Sequence, residues 1–282
     1  MKISILADNI VRKRDILAEH GLSVFIEHNG LNILFDTGQS DVFRKNASVM
    51  NVDLAKTDFI ALSHGHFDHC GGLIHFLFDE LIANAQINIY VQEAAFNKKY
   101  AYIEDKDEYE EAGITWNPND YPMIKDQIIF PGEKMEVAPD IFLCGGIPTT
   151  TEFEKVSSDL FQADGDEIVV DPMIDEQMLV IDTEQGLSVF LGCSHPGIIS
   201  CLNHLSKLFP GKKIHSLLAG MHLDSAKDEI VRKTIDSLKA FDINRIMPVH
   251  CTGVQVICEM KRAFGDNCII LYTGDTFNIS ED

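Results

Sequence analysis

The stretch His64-Gly-His66-Phe67-Asp68-His69 places three imidazoles and a carboxylate within six residues. Imidazole nitrogen and carboxylate oxygen are natural ligands of zinc and similar divalent metals. Histidines two apart in a loop can converge on one ion, and an aspartate with an adjacent histidine can turn to a second. The cluster follows the apolar run Phe59-Ile-Ala-Leu-Ser63 and precedes Cys70-Gly-Gly-Leu73, so it falls at a strand–loop–helix junction. The chain has only 11 His in 282 residues. A polar loop that is histidine-rich by chance is therefore a poor account of it.

A catalytic zinc centre needs further protein ligands and an open position. Candidates lie far along the chain, each after an apolar, strand-like run: Val189-Phe-Leu-Gly-Cys-Ser-His195, Ser216-Leu-Leu-Ala-Gly-Met-His222 and Ile246-Met-Pro-Val-His250. The C-terminal ends of strands are where α/β enzymes gather functional groups. His250 and His195 read as ligands, and His222 stands between a ligand and a strand-end histidine of another role. His20, His28, His204 and His215 carry no supporting motif, and His75 lies in the helix after the cluster; all five read as structural. Cys70 reads as packing beneath the loop.

The elements that must position these groups are short. Strands are expected over Ile3–Leu6, Ser23–Glu27, Asn32–Phe35, Phe59–Ser63, Ile87–Val91, Met178–Ile181, Leu187–Gly192, Ser216–Ala219 and Arg245–Val249. Helical spacing runs over Gly72–Ala83, Pro196–Leu208 and about Ser225–Ala240, and Thr183-Glu-Gln-Gly186 suits a hairpin turn. Local strands followed by strand–helix alternation fit a layered α/β architecture. No linker-like segment divides the chain, which is expected to form a single domain over 1–282. Near 97–140 the pattern weakens. The acidic run Ile103-Glu-Asp-Lys-Asp-Glu-Tyr-Glu-Glu111 reads as a solvated helix and loop, and Trp116, Tyr121 and Phe130 leave room for an insertion that acts as a lid.

Composition narrows the partners. The net charge is −21, from 44 Asp+Glu against 23 Lys+Arg. Such a surface repels nucleic-acid phosphates and anionic membranes. No apolar run approaches the roughly 18 residues that span a bilayer, and Met1-Lys-Ile-Ser-Ile-Leu-Ala-Asp8 reads as a first strand, not a signal peptide. Seven scattered cysteines without a CxxC pair suit free thiols in a reducing cytoplasm.

The motifs together resemble the metallo-β-lactamase superfamily. His-x-His-x-Asp-His after a strand is its signature; Leu34-Phe-Asp36-Thr-Gly38 is similar to its early aspartate strand and Pro248-Val-His250-Cys-Thr-Gly253 to its late histidine. Gly21-Leu-Ser-Val-Phe-Ile-Glu27, Gly192-Cys-Ser-His195-Pro-Gly197 and Gly220-Met-His222-Leu223 resemble a narrower subgroup. That subgroup is named for a dihydropterin–ribofuranosylaminobenzene phosphate synthase of methanopterin biosynthesis. The resemblance implies a four-layer αββα sandwich with one or two divalent metals, zinc first among them, at one edge. It implies that His64, His66 and His195 bind one metal, that Asp68, His69 and His250 bind the other, and that Asp36 fixes the cluster loop. Where most members carry a bridging aspartate, this chain reads Gly192-Cys193-Ser194-His195, so Cys193 is the alternative to His195. The late Gly274-Asp275-Thr276 looks like that missing motif but comes after His250, the wrong order, and reads as a last strand and turn.

The expected function is a cytoplasmic metal-dependent hydrolase, or a related lyase or transferase, that acts on a small molecule through metal-activated water. Asp68 and His222 are the expected catalytic groups. The subgroup implies a phosphorylated substrate, with Arg12 to Arg14, Lys98 and Lys99 as candidate phosphate contacts. Two rivals are a di-iron redox protein of the same fold, which would want a carboxylate where His66 stands, and a non-catalytic metal-binding module. Self-association as a homo-oligomer is left open.

Overall fold

A computed structural model describes residues 1–77, 87–154 and 159–279. Two mixed sheets face each other. The first runs, in spatial order, Thr276–Asn278, Lys2–Ala7, Ser23–His28, Leu31–Phe35, Phe59–Ala61, Asn88–Tyr90, Ile128–Ile129. The second runs Arg245–Pro248, Ile214–Ala219, Gly186–Leu191, Met178–Thr183, Ile141–Cys144, Lys134–Ala138. Alternation along each strand decides which side chains go where, because successive residues point to opposite faces. Ile3, Ile5, Val24, Ile26, Ile33 and Phe35 of the first sheet meet Leu179, Ile181, Phe190, Leu218 and Met247 of the second in one buried layer. The intervening Phe25, Leu34 and Ile60 face outward onto Phe43 and Ala47 of helix Val42–Met50 and Phe76 of helix Leu73–Leu77. On the other side Val180, Val189, Leu217 and Ile246 pack on helices Ile198–Leu208, Asp228–Leu238 and Val254–Phe264. The result is the expected αββα sandwich. The part of the expected helix Gly72–Ala83 beyond residue 77 lies outside the described residues. Among the described residues no helix is long and apolar enough to cross a membrane.

The direction of the strands matters most for the site. Gly186–Leu191, Ile214–Ala219 and Arg245–Pro248 run parallel, with Leu191 beside Ala219 and Ala219 beside Pro248. Parallel neighbours need a crossover, supplied here by helices Ile198–Leu208 and Asp228–Leu238. Leu31–Phe35 and Phe59–Ala61 are parallel too, with Phe35 beside Ala61. The loops after these five strands therefore start from two aligned rims, one on each sheet.

The acidic run corrects the sequence expectation. It forms no helix; Lys99–Ile103 and Glu108–Glu111 make an antiparallel hairpin. This hairpin pairs with Leu160–Asp164, itself paired with Glu167–Val170, to give a third, four-stranded sheet. Alternating acids survive in a strand because Glu108–Glu111 is exposed on both faces. The sheet is pinned from beneath. Lys99, 2 % exposed, places Nζ 2.6 Å from Asp171 and 3.0 Å from Asp175. Burial alone would pull its pKa down; the two carboxylates more than offset this and leave it raised. Lys99 is thus not a phosphate contact. Arg12 stacks on Tyr272 and Lys13 pairs with Asp275, so neither hangs free over the site.

Lys99→Met should destabilise the protein by about 3–5 kcal/mol, because it leaves two buried carboxylates without their cation. Chemical denaturation checks this, with Lys106→Met as control, whose ion pairs with Glu108 and Glu110 lie on the surface and should matter little.

Candidate metal centre

The two rims bring the sequence candidates together. Asp36 ends one strand and Ser63-His64 follow another, while Cys193–His195, His222 and His250 follow the three parallel strands of the second sheet. The chain must turn sharply at each end. Asp36, Ser194, His222 and His250 all have φ between 48° and 56°, the left-handed region that non-glycine residues avoid. Strain of this kind, about 1–3 kcal/mol per residue, persists only where the surroundings over-determine it. The sheets also approach closely here. A Cβ at Gly192 would lie 2.1 Å from Ser63 Oγ and 3.1 Å from His64 Nδ1, so only glycine fits.

His64, His69 and His250 are each anchored through Nδ1. Asp36 accepts the Ser63 N–H and Ser63 hydroxyl at 2.7 Å each, and takes His69 Nδ1–H at 2.7 Å. The Ser63 hydroxyl has given its proton to Asp36, so it accepts from His64 Nδ1 at 2.9 Å. Asn9 Oδ1 holds His250 Nδ1 at 2.8 Å, and Asp8 takes the His250 backbone N–H at 2.9 Å. In all three rings Nε2 is thereby turned inward, the orientation that metal ligands adopt. Burial alone would lower the His69 pKa, but Asp68 and Asp36 outweigh this and raise it to about 9, so a cation would displace a proton from its Nε2.

Those inward atoms form two groups. His64, His66 and His195 offer nitrogens that all lie within 4.8 Å of one another. His64 Nε2 and His66 Nδ1 are 3.0 Å apart. Nearby, His250 Nε2 is 3.2 Å from Asp68 Oδ2 and 3.3 Å from His69 Nε2, and His69 Nε2 is 3.7 Å from Asp68 Oδ2. His222 joins a further group with Cys193 and His195. It also lines, with His195, Glu154, Ser194, Lys227 and Ile230, an adjacent cavity of ≈ 650 Å³.

The donor set fits a divalent cation. His66 Nε2 and both ring nitrogens of His195 are buried without a partner, a state that costs free energy unless something binds them. Burial holds the His66 pKa down to about 4 and those of His64 and His195 well below the usual range, aided in the latter two by neighbouring imidazoles. At neutral pH these rings are uncharged donors, as a metal requires. Asp68 is the opposite case. Burial alone would raise it; His69, His20 and His250 more than offset this and hold it well below the carboxylate range.

Several neighbours were invisible in the sequence. His20 read as structural, yet its Nε2 lies 3.2 Å from Asp68 Oδ2, and it shares a group with Asp68 and His250. It sits in a loop with no motif around it. Asp175 takes the Gly65 N–H at 2.8 Å and so couples the metal loop to Lys99. Glu176 takes the N–H groups of Ser194 at 3.1 Å and His195 at 3.2 Å. Asp275 keeps to Lys13 and the Tyr272 N–H, away from these groups.

The family profile of the metallo-beta-lactamase superfamily matches residues 17–154. An uncharacterized protein of Methanocaldococcus jannaschii is 33% identical over 264 residues, 92% of this chain and 94% of that protein. From the same organism, a 7,8-dihydropterin-6-methyl-4-(beta-D-ribofuranosyl)-aminobenzene-5'-phosphate synthase is 31% identical, over 91% of this chain and 89% of its own. The chain belongs to the metallo-beta-lactamase superfamily. A crystal structure of a metal-dependent hydrolase of that superfamily superposes with a TM-score of 0.83 at 28% identity, covering 100% of both chains. Superfamily membership accounts for the fold, and the synthase relative bears out the narrower resemblance.

Glu176 gives a pH prediction for the metal-free protein. Burial pushes its pKa from 4.5 to about 8. A carboxyl raised on folding stabilises below its unfolded pKa, and that stability is lost as pH rises towards the folded value. Relative to Glu176→Gln, the EDTA-treated wild type should lose about 1.4 kcal/mol per pH unit across this window. Denaturant midpoints at pH 5, 6, 7 and 8 would reveal it; parallel pH curves for the two proteins would mean Glu176 is not buried as a neutral acid.

Proposed function

We propose that the protein is a metal-dependent hydrolase, or a related lyase or transferase, that uses metal-activated water on a small-molecule substrate in the cytoplasm. The observation that carries this reading is the pair of facing ligand groups, three uncharged imidazoles beside Asp68, His69 and His250, on a shared strand-end rim. Bound divalent metal, with zinc the best match to this nitrogen-rich set, would supply Lewis acidity and a water acidic enough to react near neutral pH.

The chain's own groups have distinct parts in this reading. Asp36, Asn9 and Ser63 orient the imidazoles through Nδ1. Asp68 Oδ2, shared by His20 and His250, is placed to steer a proton at the reacting water. His222 faces the adjacent cavity and would hold or protonate the substrate's leaving group. The synthase relative favours a phosphorylated substrate. His66 speaks against the di-iron redox rival, which would want a carboxylate there, and the nearly complete ligand set speaks against a non-catalytic module.

Elemental analysis with an absorption spectrum, followed by a panel of phosphomonoesters, phosphodiesters and carboxylic esters, tests the reading. A colourless protein that carries zinc and turns over one of these substrates supports it. An iron chromophore with oxygen-consuming activity would overturn it in favour of redox chemistry.

A further inference from the structure

Cys193 stands where the two ligand groups meet. Its Sγ is 3.1 Å from His69 Nε2. It falls within one 4.8 Å group with His64 and His69, within a second with His195 and His222, and within a third with His250 and Cys251. Among the described residues, no other side chain belongs to three such groups. The position is built, not incidental. Cys193 is 3 % exposed. The backbone on its C-terminal side is clamped by Glu176 through two N–H groups and by the Ser194 hydroxyl, which donates to Gly220 O at 2.7 Å. Gly192, on its other side, lets the strand end reach Ser63 and His64.

The nearby carboxylates are spoken for. Asp36 holds Ser63 and His69 Nδ1, Asp175 holds Lys99 and Gly65, Glu176 holds the loop of Cys193 itself, and Asp8 holds the His250 N–H. None offers an oxygen to both groups. Cys251 is no substitute. It belongs to one group, and its sulfur accepts the His222 backbone N–H at 3.2 Å.

We propose that Cys193, as a thiolate, is a ligand common to both metal positions, joining the His64–His66–His195 group to the Asp68–His69–His250 group. The proposal rests on the metal-centre reading above and adds a bridging donor and its chemistry. The S–H bond breaks on metal binding, the proton passes to solvent, and the electron pair stays on sulfur for donation to both cations. His195 and Cys193 are then partners, not alternatives. A sulfur at the centre also sets metal preference: zinc and cobalt gain over magnesium and manganese, which favour oxygen donors.

The wild-type protein can be tested without any variant. Zinc K-edge X-ray absorption on the zinc-loaded full chain should show a sulfur scatterer at about 2.3 Å beside nitrogen and oxygen at about 2.0–2.1 Å. Anaerobic titration with cobalt(II) should raise a thiolate-to-cobalt charge-transfer band across both equivalents. Cys193→Ser should lose that band and retain about half the metal or less, Cys251→Ser should keep both, and Cys193→Asp should restore the second metal without the band. Zinc bound through nitrogen and oxygen alone would overturn the proposal and leave the metal centre standing. A band that survives in Cys193→Ser and vanishes in Cys251→Ser would move the thiolate to Cys251 and equally overturn it. Wild-type protein that binds neither zinc nor cobalt would remove the metal centre, and the bridge with it. Should Cys193→Ser fail to fold, the wild-type absorption edge and the Cys251→Ser titration still decide between these outcomes.

Discussion

Replacing His64 and His66 together by Ala should strip metal and lower turnover by about a thousandfold or more. Both rings are buried, and both point donors into the same group as His195. Two lone pairs 3.0 Å apart, as His64 Nε2 and His66 Nδ1 are placed, repel unless a proton or a cation lies between them. Burial keeps both rings uncharged, so in the metal-free protein the single N–H of a neutral ring joins them, and a bound cation would take that proton's place. Removing both rings takes two of the three imidazoles from the His64–His66–His195 group, and the one that is left, even with the Cys193 thiolate, is too few for tight binding. His75→Ala is the control, since that ring is exposed on helix Leu73–Leu77 and should change neither metal nor rate. Metal content by mass spectrometry and turnover, measured on one preparation, check the prediction. Full metal retention in the double variant would sink the ligand assignment.

The sequence was most informative where chemistry and strand ends coincide. His64, His66, Asp68 and His69 stand within six residues, so their spacing alone suggested convergence. His195, His222 and His250 each follow an apolar run, and the parallel register of those three strands explains why such a pattern works: aligned strands end on one rim. Even the sandwich could be read once the motifs were joined to the family resemblance, although periodicity alone suggested only layers. What failed was the acidic segment. Alternating and clustered acids look like a solvated helix when no buried face shows in the pattern, and the partner of that hairpin, Leu160–Asp164, lies some fifty residues away. His20, Asp8, Asp175 and Glu176 were missed for the same reason. Each acts through one long-range contact, and nothing local to it signals that contact. Lys99 misled in the other direction, because a lysine beside another lysine reads as surface until its buried carboxylates are seen.

The acids missed in the sequence share one consequence with Asp36. Asp8, Asp36, Asp175 and Glu176 surround the imidazoles from behind, each hydrogen-bonded to the backbone or to a ring. Burial raises Asp8 to about 6 and Glu176 to about 8 in the metal-free protein. Adding divalent charge in front of Asp8 and Glu176 would favour their ionised forms, so metal binding and the ionisation of these two acids would support each other. The ligand cluster, read alone, gives no hint of that coupling.

His222→Ala should keep the metal and lose turnover by about a hundredfold to ten-thousandfold, the usual contribution of a positioned acid or base. In the proposed reading both metal positions are filled without His222, whose ring centroid lies 4.7 Å from that of His195. It borders the ≈ 650 Å³ cavity. Its Nδ1 is buried without a partner, while its backbone N–H is taken by Cys251 Sγ. Burial alone would lower its pKa, but a side-chain interaction with Cys251, with the negative charge of Cys251 and nearby acids, outweighs this and raises it. A raised pKa favours the protonated ring, which can donate to a leaving group, so the rate should fall as pH rises through its titration, and that limb should vanish in the variant. The backbone at φ 48° argues that the position is held for a purpose beyond packing. Metal stoichiometry and turnover must be read together. Loss of metal in step with activity would make His222 a ligand of the site, and no change in either would reduce it to a strand-end histidine with no part in the chemistry.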